Sequence, residues 1–188
     1  MPSPIGHLLA GAAIYLAGTR RESRSRIMLT IALLGSVLPD FDFFPGILIG
    51  KMGAFHHGIS HSLGFAVLFG AIVFLFVRRV EKTAAVQAAM LATLAYVTHV
   101  IFDFVGVNEG TRGVPILWPL SDEKMGFGLG LFGHFRWGDI RDGIGTIIRW
   151  ENVLPVLREI LVAGSMVVII LWVERRRSRK HAASGQMS

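Results

Sequence analysis

Between Thr83 and Phe102 the chain runs for 20 residues without a formally charged side chain. At about 1.5 Å rise per residue, roughly 20 apolar residues carry a helix across the hydrocarbon of a bilayer. That run is long enough alone. Ser62 to Val77, and Ile160 to Val173 extended back through Pro155, reach the same length with their flanks. Ile5 to Thr19 and Ile27 to Leu38 are shorter. Beside three spans they read as short membrane helices, with a re-entrant or interfacial pair as the alternative. With 52% hydrophobic and only 17% charged residues, the composition fits a membrane chain better than a soluble domain. The expected fold is all-α: a polytopic helical bundle of about five helices, with a long glycine-rich extracytoplasmic loop from Val105 to Trp150. Residues 1–173 form a single membrane-embedded domain and 174–188 a basic cytoplasmic tail.

The charges orient it. Arg20, Arg21, Arg24 and Arg26 join segments one and two. Arg78, Arg79 and Lys82 join three and four, and Arg175, Arg176, Arg177, Arg179 and Lys180 follow five. Threading five helices back and forth brings all three clusters to one face, which the positive-inside rule makes cytoplasmic. The N-terminus and the two glycine-rich connections, Pro39–His61 and Val105–Trp150, then face outward. Segment one does not read as a cleaved signal peptide, since its positive charges follow the apolar run. The terminal basic run lacks interleaved aromatics and any nucleic-acid motif. It reads as a juxtamembrane anchor on anionic lipid, and no direct nucleic-acid partner is expected.

Ionisable residues inside a membrane are costly and usually mark function. Here they gather near one leaflet. His7 lies near the outward end of segment one, Asp40 and Asp42 just past segment two, His56, His57 and His61 before segment three, and His99 and Asp103 at the outward end of segment four. His99 and Asp103 are spaced i, i+4 and share a helical face, so one ion can meet both. A His–Asp hydrogen-bonded pair is the structural alternative. The chain has no cysteine, so any metal site uses imidazole and carboxylate, which suit Zn²⁺, Mn²⁺ or Fe²⁺, with one or two ions. His134 and His181 are set aside.

Five short motifs then fall in order: Gly6-His7-Leu-Leu-Ala-Gly11, Leu38-Pro-Asp40-Phe-Asp42, His56-x-Gly58-x-Ser60-His61-Ser62, Thr98-His99-x-x-x-Asp103 and Gly113-Val-Pro-Ile-Leu-Trp118-Pro119. Over about residues 1 to 120 this resembles the YdjM-type inner-membrane, metal-dependent hydrolases, also described as LexA-binding. The order of ligands is more distantly similar to the zinc-dependent phospholipase C and P1 nuclease group. The resemblance implies His7, Asp40, His61, His99 and Asp103 as metal ligands, with His56 and Asp42 next. YdjM-type sequences commonly carry Arg where this chain has His57. An imidazole does not replace a bidentate guanidinium in kind. Arg112 or Arg136 of the long loop would then supply the anion contact beside His57. Glu151 and Glu159 are weak candidates for further ligands.

The function expected is a hydrolase of the bacterial inner membrane, acting on a phosphoester, small or lipid-like, at the outer leaflet. Asp40 or Asp42 would serve as proton acceptor, and membrane lipids as the surroundings. Two other classes use parts of the same sequence. A divalent metal-ion transporter needs a polar path through the cytoplasmic half, and none is visible. A non-enzymatic tether for a cytoplasmic regulator would rest on the basic segments alone.

Overall fold

The structure is a computed structural model that describes residues 2–51, 54–106, 113–129, 132, 133, 135 and 148–185, with side chains described as far as residue 179. It is all-helical among these residues: α1 (Pro4–Gly18), α2 (Arg26–Val37), α3 (Phe43–Leu48), α4 (Leu63–Val80), α5 (Ala85–Val105) and α6 (Trp150–Gly185), with 3₁₀ turns at Arg21–Ser23 and Leu38–Asp42. Local chemistry explains several boundaries. Pro4 opens α1, where a missing N–H costs nothing. Ser25 and Ser62 cap α2 and α4, accepting from the Met28 and Phe65 amides at 3.2 Å each.

α5 is the axis of the bundle, packed against α4, α2 and α1, while α6 lies along α1. The reason is a stripe of small residues. Ala85, Ala88, Ala92 and Ala95 are buried at helical spacing, and His99, Phe102 and Asp103 continue the same stripe. Small side chains let helix backbones approach closely in a membrane. At Gly35 of α2 an added Cβ would stand 2.9 Å from the Ala92 carbonyl oxygen, so nothing larger than glycine fits that crossing. The outward surface is apolar. Val67, Leu75, Phe76, Leu161 and Val168 are all exposed, as lipid-facing residues should be.

Among the described residues, four stretches are long and apolar enough to cross a membrane: Arg26–Leu48, Leu63–Val80, Ala85–Val105 and Trp150–Arg179, with Pro4–Gly18 as a shorter apolar helix. Two boundaries differ from the sequence reading. Segment two does not stop at Leu38; Pro39 interrupts α-helical bonding, but the 3₁₀ turn holds direction and apolar Phe43–Leu48 resumes the helix. Likewise α6 runs past Val173 through the basic cluster, whose Arg, Lys and Ala residues are good helix formers.

The glycine-rich connection is docked, in its described parts, onto the bundle. Leu63 and Gly64 amides donate to the Ile116 and Trp118 carbonyls, at the start of α4. Phe127 and Leu129 amides donate to Phe104 and Val105, satisfying carbonyls that the end of α5 leaves unpaired. Val114 pairs with Met125 in an isolated antiparallel bridge. The loop thus closes over the end of the bundle that carries His61 and Asp103.

Candidate metal centre

Four elements deliver the buried polar residues to that end. α1 supplies His7 from its first turn, the 3₁₀ turn supplies Asp40 and Asp42, and α5 supplies His99 and Asp103 from its last two turns. His56, His57 and His61 come from the turns before α4. His7, His61, His99 and Asp103 are each at most 1% exposed.

Asp40, His61, His99 and Asp103 form one group whose donor atoms all lie within 4.8 Å of one another. The His61 and His99 Nε2 atoms are 3.3 Å apart, and each is 3.2 Å from Asp103 Oδ2. Asp40 Oδ1 is 3.6 Å from His61 Nε2 and 3.5 Å from His99 Nε2. Ligands about 2.0–2.1 Å from a tetrahedral ion lie about 3.3–3.4 Å from each other, so these spacings have the edge length of a coordination tetrahedron. Asp103 Oδ2 is buried and lacks a hydrogen bond of acceptable geometry despite its imidazole neighbours. The four donors are thus clustered closely enough to share one ion. The donor set fits a divalent ion.

The tautomers fit as well. His99 Nδ1 is 2.7 Å from the Ser36 carbonyl oxygen, so Nδ1–H donates and Nε2 presents a lone pair. His61 Nδ1 is 3.2 Å from Asp42 Oδ2, the same device with a carboxylate behind the ring.

Asp42 lies outside the four-donor group. Its oxygens meet His56 Nδ1 at 3.0 Å, the Ser60 hydroxyl at 2.9 Å and His61 Nδ1. Its geometry is that of a bracket holding rings in place. His56 is turned toward it and stacks on Phe43, with ring centroids 3.8 Å apart. His57 adopts a left-handed backbone (φ 61°), a strained choice for a residue with a Cβ. That bend sets its Nε2 3.7 Å from Asp103 Oδ2. His56, His57 and His61 form a second group close enough for one ion, sharing His61 with the first. His7 stacks on His99, with centroids 3.7 Å apart, and its Nε2 is 3.6 Å from Asp103 Oδ1.

Arg112, Arg136 and His134 lie outside the described residues. Glu159 is fully buried yet belongs to neither group. Its carboxylate accepts from the Ser3 amide at 2.8 Å and from the Ser3 hydroxyl, joining α6 to the start of α1. Glu151 is exposed. Sequence reasoning missed Ser36, which contributes only a backbone carbonyl and so leaves no trace in residue type. It also gave no role to Ser60 or Tyr96. Tyr96 donates to the Ser60 carbonyl at 2.7 Å, and its i, i+3 spacing from His99 on α5 was the available signal.

Comparison with known proteins agrees with this architecture. The profile of the YdjM inner membrane protein family matches residues 1–178. The inner membrane protein YbcI of Escherichia coli (strain K12) is 29% identical over 185 residues, covering 94% of this chain and 100% of the relative. No solved structure matches. The more distant similarity to the phospholipase C and P1 nuclease group has no counterpart among these matches.

Proposed function

This chain belongs to the YdjM inner membrane protein family, and from that premise we propose that it is a membrane-bound, metal-dependent hydrolase of phosphoesters, acting at the outer leaflet on a lipid-like substrate. The observation that carries the reading is the buried group of Asp40, His61, His99 and Asp103, with its near-tetrahedral spacings and its two oriented imidazoles. A purely structural network would satisfy each of its buried groups, whereas Asp103 Oδ2 is buried without a hydrogen-bond partner.

Zinc is the ion we propose, with manganese or iron as the other choices for an imidazole and carboxylate set. When bound, a divalent ion supplies Lewis acidity, polarising a phosphoryl oxygen and bringing the pKa of water toward about 7. The protein's own contributions follow from the geometry. His61, His99 and Asp103 hold the ion. Asp40, with a side chain 16% exposed against 0–2% for the other three, is the member that substrate and water reach. It takes the proton from the attacking water. Asp42 acts as a positioning residue for His61 and His56. His57, beside Asp103, faces the phosphoryl group, and Arg112 and Arg136 remain proposed contacts to it.

A groove of about 290 Å³ supports the lipid part of the reading. It is walled by Leu38, Phe41, Phe65, Leu68 and Ile72, and Asp42 and Ser60 stand among its lining residues. An acyl chain lying there brings its head group beside the metal centre. The orientation we propose puts this end outside and the basic clusters in the cytoplasm, with the N-terminus out and the C-terminus in.

The test is hydrolysis by the purified, metal-loaded protein across a panel of soluble phosphoesters and phospholipids, with the Asp103→Ala variant beside it. Turnover of a lipid phosphoester by the wild type alone is the expected result. No turnover on any panel member by protein shown to carry its ion overturns the hydrolase.

A further inference from the structure

A second site lies at the opposite end of the bundle. The turn after α1 and the last part of α6 enclose a cavity of about 510 Å³ lined by Arg20, Arg21, Arg24, Arg175 and Arg177, with Glu22, Glu174 and Leu171. Two basic clusters separated by some 150 residues of sequence thus converge on one concavity. Arg24 is its anchor: the guanidinium pairs with Glu174 and donates to the Leu16 carbonyl at 3.3 Å. Its Nε–H is buried and has no acceptor. Arg20, Arg21, Arg175 and Arg177 form no ion pair among the described residues. With Glu174 engaged by Arg24, Glu22 is the remaining carboxylate against these cations.

We infer that this cavity is a binding site for a phosphate-bearing ligand, the head group of an anionic lipid. Guanidinium forks match phosphate oxygens two at a time, and a buried donor without an acceptor marks where one belongs. Leu171 is an apolar residue in the lining, and the next residue, Trp172, is half exposed with Arg176 stacked 3.7 Å over its ring. Tryptophan at such a position marks the membrane–water interface, and basic pockets between helices at that level take lipid phosphates. This site is independent of the hydrolase reading, since none of its residues approaches the His and Asp groups.

The experiment is native mass spectrometry of the full chain in detergent, titrated with phosphatidylglycerol, phosphatidylcholine or inorganic pyrophosphate. Three forms are compared: wild type, Arg20→Gln/Arg177→Gln, and Arg78→Gln/Arg79→Gln as a control of equal charge loss outside the cavity. An unchanged helical circular-dichroism spectrum and elution volume report that each variant is folded. The expected result is stoichiometric phosphatidylglycerol binding, weakened about 10- to 30-fold by the cavity variant and unchanged in the control. Pyrophosphate binding with the same variant dependence, in the absence of lipid binding, keeps the phosphate site but makes its ligand soluble. Equal weakening in the control, or equal binding of phosphatidylcholine, overturns the site and leaves only diffuse attraction.

Discussion

His99 Nδ1 rests 2.7 Å from the carbonyl oxygen of Ser36, one residue before the end of α2. A hydrogen bond to that oxygen fixes the proton on Nδ1, leaving Nε2 to face Asp103 Oδ2 at 3.2 Å. The carbonyl is available because it lies in the last turn of α2, where helix carbonyls lose their intrahelical partners. Helix termination and ligand orientation are therefore one event here.

Removing either half of the His99–Asp103 pair should empty the centre. Elemental analysis of purified protein should find one or two zinc equivalents in the wild type and loss in both His99→Ala and Asp103→Ala. Full retention in either variant would return the cluster to a structural role.

Asp42 should behave differently from Asp103. As a bracket behind His61 and His56, its replacement by Asn should weaken metal affinity by about 10- to 100-fold without abolishing binding. Competition against a chelator of known affinity measures this. An unchanged affinity would remove Asp42 from the support of His61.

The carboxylate of Glu159 should matter to the bundle and not to the ion. Glu159→Ala strands the Ser3 amide and hydroxyl in a buried setting, at a cost of about 1–3 kcal/mol. Denaturation in mixed micelles should register that loss while metal content stays at the wild-type level. Zinc lost together with stability would instead tie Glu159 to the centre.

Gly35→Val tests the close crossing of α2 and α5. The added side chain meets the Ala92 carbonyl oxygen, and overpacking of this kind costs about 1–3 kcal/mol. The same denaturation assay should show it, and His99 should lose metal affinity in proportion as Ser36 moves away. Stability equal to the wild type would mean that the helices are not held at this distance.

Much of this was legible from residue types and spacing. Thr83–Phe102 declared itself as a span, and the basic clusters declared a common end, because bilayer thickness and charge penalties act on local sequence. His99 and Asp103 could be paired because four residues complete about one helical turn. Asp40 was legible as a member of the group but not as its exposed one. The distinction between Asp40 and Asp42 was hidden, since two carboxylates one residue apart diverge according to a 3₁₀ turn that no periodicity announces.

By itself, then, the sequence determined a helical membrane chain, its sidedness in charge, and a cysteine-free donor set near one end. Only tertiary structure decided which donors share a centre, which merely hold the rings, that Glu159 ties α6 to α1, and that two remote arginine clusters enclose a cavity. The physical reason is range. Spans and charge patterns are set by neighbours along the chain, whereas the clustering of Asp40, His61, His99 and Asp103 is set by how closely three segments approach. Here that approach depends on the alanine stripe of α5 and on Gly35, residues that carry no chemistry of their own.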